Sequence, residues 1–207
     1  MLSIGISFDD SLVDQLKWAR TMAQVGLRGV FYVSPGVLGT PALLREGKWF
    51  LTEDHVRRIA EGGHVVGNHT WEHEAPATHL PVEVLASACR AAEWLDALGW
   101  EGSLLALPYG VRGGKWDDAI LAALAAEGFV LRDVRFDGEA AASLPAALES
   151  TALVSGEDVD LRYFHGNHNT SDDDMARFLY HVAEEVSAGR ARLVLPRKGE
   201  TQWLPSQ

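Results

Sequence analysis

The chain has 207 residues, 47% of them hydrophobic and 23% charged, and reads as one globular domain, residues 1–207, able to bury a single sizeable core. Its one cysteine, Cys89, excludes a disulfide framework and any four-thiolate zinc site. A net charge of −11 argues against a nucleic-acid backbone or an anionic membrane as the main partner.

Short apolar runs alternate with longer segments of helical period. Residues 3–8 read as a buried strand, and 11–24 as a helix with Leu12, Leu16, Ala19 and Met22 along one side. Residues 29–33 are a second strand. Thr52 is a helix N-cap, with His55 three residues on and Val56, Ile59 and Ala60 as the apolar face. Residues 64–67 make a third strand, and Pro81 at a first helical position starts a long helix to Leu98. Residues 103–107 are the fourth strand, 116–126 a helix ending at Gly128, and 129–131 the fifth strand. Residues 151–154 and 161–164 are the sixth and seventh. Ser171 to Asp173 cap a helix running to Val186, and 192–195 is a candidate eighth strand. This alternation implies an α/β fold with a mainly parallel sheet, and so many strands in one chain favour a small barrel over an open sheet.

No run approaches the roughly 18 apolar residues of a membrane span. Nor does the opening residue pattern resemble a basic start followed by an apolar stretch, so a cytoplasmic location is expected.

In parallel α/β folds the chemistry collects where strands end and loops begin. Asp9 and Asp10 follow the first strand, His69 and His73 the third, Pro108-Tyr109-Gly110 the fourth, Arg132 and Asp133 the fifth, and His165 and His168 the seventh. Asp9-Asp10 alone would serve as a helix cap, but adjacent carboxylates can also divide labour, one ligating a cation and the other acting as base. Histidines four apart on one face of a helical turn can meet one zinc-like ion. His64, His55 and His181 are expected to be hydrogen-bonded core residues.

Two other motifs are set aside. His69-Thr70-Trp71-Glu72-His73 fits the inverted zinc-protease pattern His-x-x-Glu-His, but glycines before it and Pro76 after it leave no room for the long helix that mechanism needs. The run from Gly110 to Lys115 lacks the first glycine and the Ser or Thr of a phosphate loop.

Ser7-Phe8-Asp9-Asp10-Ser11, His69-Thr70-Trp71-Glu72-His73, Leu107-Pro108-Tyr109-Gly110 and Tyr163-Phe164-His165 together resemble the ordered motifs of the polysaccharide deacetylases, carbohydrate esterase family 4. The resemblance runs from Ser3 to about Val186. It implies a distorted parallel (β/α) barrel of seven or eight strands and a mononuclear metal hydrolase acting on acetyl groups. By that resemblance Asp10, His69 and His73 would hold one divalent metal, zinc, with cobalt or nickel as substitutes. Asp9 would be the general base, the Tyr109 backbone N–H an oxyanion donor and His165 the acid, with His168 its rival. An acetylated sugar would be the substrate, with no nucleic-acid or membrane partner.

The chain departs from the family pattern at three points. Ser11 stands where glycine is usual. Ala106 stands where an arginine usually holds the base aspartate. The tryptophan of the fourth motif is missing, which leaves Asp133 or Asp137 to tether the acid histidine. Arg132 follows the strand beside Ala106 and has two equal readings: a replacement for the missing arginine, holding Asp9 with a planar fork that suits a carboxylate, or a surface residue paired with Asp133. Two alternative functions are a deacylase of a small non-carbohydrate amide or O-acetyl ester, and a metal- or sugar-binding pseudoenzyme.

Overall fold

The computed structural model describes residues 2–42, 48–75, 77–109, 118–132, 152–154, 157–164, 171–196 and 203–205. In chain order these form β1 (Leu2–Phe8), α1 (Asp14–Gln24), β2 (Val30–Val33), a 3-10 turn (Pro35–Val37), α2 (Glu53–Glu61), β3 (Val65–Asn68), α3 (Pro81–Ala97) and β4 (Glu101–Leu105). They continue with α4 (Asp118–Ala126), β5 (Val130–Leu131), β6 (Ala152–Val154), β7 (Glu157–Phe164), α5 (Asp172–Ser187), β8 (Ala191–Pro196) and β9 (Trp203–Pro205). None of the described helices is long and apolar enough to cross a membrane.

Six strands run parallel in the order β5-β4-β3-β2-β1-β7 and curl into a half-barrel. β1 is its centre. One edge of β1 pairs with β7 from Ser3 to Phe8, while the other is shared, β8 taking Leu2 to Ile4 and β2 taking Ser7 and Phe8. The sheet therefore splays at the start of β1 and closes up at its end. β6 and β9 are antiparallel additions to β7 and β8. Among the described residues the path is open between β5 and β6, so closure over seven or eight strands is not seen there.

Strand alternation sorts the side chains into two layers. Ile4, Ile6 and Phe8 of β1, with Phe31 and Val33 of β2, pack outward against Trp18 and Met22 of α1, Val56 and Ile59 of α2, and Met175, Phe178 and Val182 of α5. The opposite face of the same strands looks into the curl, carrying small or polar residues on β1 (Ser3, Gly5, Ser7) and a cluster of Val30, Tyr32, Leu104, Ala106 and Val194 elsewhere. A third cluster, led by Val84, Leu105, Leu107 and Leu124, fixes α3 and α4 outside β4.

Several boundaries differ from the sequence reading. β4 begins and ends two residues early, because Ala106 and Leu107 already belong to the loop that builds the rim. α1 starts at Asp14, since Asp10 and Ser11 take left-handed backbone (φ 71° and 57°) that a helix cannot contain. Neither Asp9 nor Asp10 caps it; the position before its first turn is Val13. The Thr52 cap is present, and His55 completes it as the reciprocal partner, its Nδ1 accepting from the Thr52 N–H at 3.3 Å. His55 is thus a capping residue rather than a core one, and His181 is solvent-exposed on α5.

Candidate active site

Alternation does not stop where the strands do. Asp9 continues the inward series Ser3, Gly5, Ser7; His69 continues Val65 and Gly67; Arg132 continues Val130. All three reach the same end of the half-barrel, and all are buried. Asp10 would point outward by the same rule, and its left-handed backbone turns it back toward the histidines. Asp10, Ser11, Thr70, His73 and Tyr109 are the described non-glycine residues with positive φ, and every one lies on this rim. Clustered backbone strain of this kind is characteristic of functional sites.

His69 and His73 approach one carboxylate oxygen. Asp10 Oδ1 lies 3.3 Å from His69 Nε2 and 3.0 Å from His73 Nε2, and one ligand atom from each of the three falls within 4.8 Å of the others. Ligands held at about 2.1 Å from a zinc-sized ion sit roughly 3.0–3.4 Å apart, so these separations suit the edges of one coordination shell. His69 Nδ1 lies 2.7 Å from the Ala106 carbonyl oxygen and donates to it, which orients the ring so that Nε2 faces Asp10. The donor set, two imidazoles and one carboxylate, fits a borderline divalent cation. Burial pushes the His69 pKa down, but the Asp10 hydrogen bond and the charges of Asp9 and Asp10 outweigh it and hold it above the usual histidine value. Positive charge is favoured at this point.

The two histidines do not share a helical turn, as their spacing suggested. Residues 69–73 form an irregular loop in which Thr70 and His73 have φ of 65° and 60°. The loop is held by side chains instead. Asn68 Oδ1 accepts from the Thr70 N–H at 2.8 Å, Ser87 Oγ of α3 accepts from the Trp71 N–H at 2.7 Å, and the same hydroxyl donates to buried Glu74. The role of Ser87, remote in sequence, carries no sequence signal. Ser11 is explained by a similar contact: its Oγ accepts from the Ser34 N–H at 2.8 Å, and Ser34 Oγ in turn donates to the His69 carbonyl at 2.9 Å.

Asp9 is held from three sides. Its N–H donates to the Phe164 carbonyl at 2.8 Å, and its carbonyl accepts from the Gln15 side-chain amide. Its carboxylate is gripped by Arg132, Nη1 to Oδ1 and Nη2 to Oδ2 both at 2.5 Å. Arg132 Nη1 also donates to Ser7 Oγ at 3.1 Å. The register explains how Arg132 arrives there. Leu104 pairs with Val130 and Leu105 with Leu131, and the Arg132 N–H donates to the Leu105 carbonyl at 2.8 Å. Arg132 therefore stands level with Ala106 on the adjacent strand and projects to the same side. On a flat sheet β5 and β1 would be about 19 Å apart, farther than arginine and aspartate can span. The ion pair exists because the sheet curls.

Tyr109 ends the described stretch after β4, half-exposed, with its ring 5.2 Å from that of His73. His165 and His168, with Asp133, Phe136 and Asp137, lie outside the described residues. Phe164, the last residue of β7, bonds directly to Asp9, so the chain leaves β7 at this rim.

The polysaccharide deacetylase profile matches residues 2–131, more than half of the chain, and the protein belongs to that family. Its fold is similar to that of the family 4 carbohydrate esterase from Streptomyces lividans in complex with acetate (TM-score 0.68, 16% identity, 99% of this chain and 98% of that one). It is also similar to the Bc1960 peptidoglycan N-acetylglucosamine deacetylase (TM-score 0.65, 18% identity, 93% and 85%). A third similar fold is the chitin deacetylase from the fungal pathogen Colletotrichum lindemuthianum (TM-score 0.65, 17% identity, 92% and 84%). No curated protein matches the chain.

Proposed function

We propose that this protein is a metal-dependent hydrolase that removes acetyl groups from N-acetylated sugars, built on a (β/α) barrel of seven or eight strands. Asp10, His69 and His73 would hold one divalent cation, zinc or in its place cobalt or nickel. When bound, the cation supplies a Lewis acid for the acetyl carbonyl and lowers the pKa of a coordinated water.

The remaining work falls to the chain's own groups. Asp9 is the base: its carboxylate is adjacent in sequence to the ligand Asp10, and Arg132 fixes its orientation. A water losing its proton to Asp9 attacks the acetyl carbon. The Tyr109 backbone N–H donates to the oxyanion that forms. Collapse breaks the C–N bond, and the leaving amine takes a proton from His165. The products are acetate and a free amine.

The observation that carries this reading is the two-pronged Arg132–Asp9 pair beside the Asp10, His69, His73 group. A binding protein that had lost turnover has no need of an oriented base carboxylate one residue from a cation site. The test is acetate release from chitooligosaccharides by the metal-loaded protein. Release that is lost in Asp9→Asn, with metal still bound, supports it. Release only from small amides or acetyl esters would move the substrate away from sugars, and release from none of them, with metal bound, overturns the hydrolase.

A further inference from the structure

Along its edge, the Arg132 guanidinium hydrogen-bonds to Asp9 and Ser7. An aromatic ring lies beside it. The Arg132 Cζ lies over the ring of Tyr32, 4.8 Å from its centroid, and Tyr32 is completely buried in β2. The Tyr32 hydroxyl has no hydrogen-bond partner among the described residues. The part of Tyr32 that meets Arg132 is its ring.

The neighbouring strands leave room for that ring. Tyr32 pairs in register with Gly67 of β3, and a Cβ on Gly67 would come within 3.0 Å of two carbons of the ring. Next along the curl stands Ala106, fully buried in the same inner cluster as Tyr32. Two of the smallest side chains thus leave a slot inside the half-barrel, and Tyr32 and Arg132 fill it.

We propose that Tyr32 is a positioning residue for the reaction, acting through Arg132 on Asp9; this rests on the reading of Asp9 as the base. A guanidinium hydrogen-bonds only in its own plane, and a long side chain has many rotamers that break a two-pronged contact. A buried ring packed against the guanidinium blocks those rotamers and favours the one in which both Nη groups meet the two oxygens of Asp9. The backbone of Asp9 is bonded to Phe164 and Gln15, and Arg132 meets both carboxylate oxygens. By holding Arg132, Tyr32 acts on the orientation of that carboxylate.

The test compares Tyr32→Phe, which keeps the ring, with Tyr32→Leu, which keeps burial without it. Tyr32→Phe should hold kcat within about twofold of wild type. Tyr32→Leu should lower kcat by about tenfold or more with KM and metal content unchanged, as expected when a reacting group is slightly misplaced. Tyr32→Leu placed on Arg132→Met should add nothing further to the loss, since the two act in series. A kcat for Tyr32→Leu equal to wild type, or an additive double variant, overturns the proposal.

A second readout observes the contact itself. Protons over an aromatic face are shielded, so the Arg132 guanidinium NMR signals should be ring-current shifted in the wild-type protein, unchanged in Tyr32→Phe and unshifted in Tyr32→Leu. Unshifted Arg132 signals in the wild type overturn the proposal. If the wild type, with metal bound, releases no acetate from acetylated sugars, small amides or acetyl esters while those signals are shifted, the function reading fails and the contact stands without a catalytic role, which overturns the positioning proposal as well.

Discussion

His64 and His69 flank the same strand, β3, and the protein uses them in opposite ways. At the amino end, His64 Nδ1 accepts from the Gly29 N–H at 3.2 Å and its Nε2 donates to the Ala19 carbonyl at 2.9 Å. Only the neutral ring can make both bonds. Burial, with Arg28 nearby, pushes its pKa down to about 4. At the carboxyl end, His69 is equally buried but faces Asp9 and Asp10, which hold its pKa above the ordinary value. One end of the sheet is thus built to exclude charge and to lock α1 onto β2. The other is built to gather charge. Burial alone does not decide what a histidine does; its partners do.

The sharpest way to break this contrast is at the charged end. Replacing His69 and His73 together with alanine should abolish stoichiometric metal binding, and a metal content equal to wild type would remove the site. Asp9→Asn should lower acetate release by about 10²–10⁴-fold while the metal stays bound, the usual range for loss of a positioned base. Elemental analysis alongside the acetate assay separates the two cases.

Next in size is the ion pair. Arg132→Met strands a carboxylate that is 2% exposed, and breaking one partner of a buried pair costs about 3–5 kcal/mol. Denaturant unfolding should show that loss. Arg132→Lys should recover part of the stability but little of the activity, because an ammonium cannot grip both oxygens at once. A lysine variant as active as wild type would show that charge, not orientation, is what Asp9 needs.

The neutral end should respond to acid. The unfolded chain protonates His64 near 6.5 and the folded chain only near 4, so the unfolded state binds more protons between those values. The His64 contribution is complete above pH 6.5 and is lost as the pH falls toward 4, by about 3 kcal/mol. His64→Gln, whose amide can keep one donor and one acceptor, should flatten that part of the stability curve measured from pH 7 to pH 4. An unchanged slope would mean that His64 is not held neutral.

The smallest effect is expected at Ser11. Ser11→Gly relieves left-handed strain but forfeits the hydrogen bond from the Ser34 N–H, two terms of about 1 kcal/mol each and opposite sign. The net change in unfolding free energy should stay within about 0.5 kcal/mol. Ser11→Ala keeps the strain, loses the bond, and should be the less stable of the two.

Much of this contrast was legible in the residues. The short apolar runs placed β1, β2, β3 and β5 to within a residue or two, and the positions just past their ends put Asp9, Asp10, His69, His73 and Arg132 into one group. The local form of the rim was not legible. Spacing suggested a helical turn for His69 and His73, and the structure has a loop with two left-handed residues, because bonds from Asn68 and from Ser87 on a distant helix outweigh the local preference. His55 looked like a core residue for a related reason: an i, i+3 cap to Thr52 and a buried helix face have the same spacing.

The sequence by itself determined the alternation of strands and helices, the family, and which ionisable residues stand at the ends of strands. These are local properties: hydrophobic period sets the element, and the element's end sets the neighbourhood of the next few side chains. Only the tertiary structure decided which of those ends meet. Asp9 and Arg132 are 123 residues apart in the chain and at opposite sides of the five-strand run β1 to β5. Nothing local brings them together. Parallel strands twist and curl because of backbone chirality and the helices packed outside them, and that curl turns two distant edges into facing walls. Once the walls face each other, an inward arginine level with Ala106 can reach Asp9, its guanidinium carbon over the ring of Tyr32.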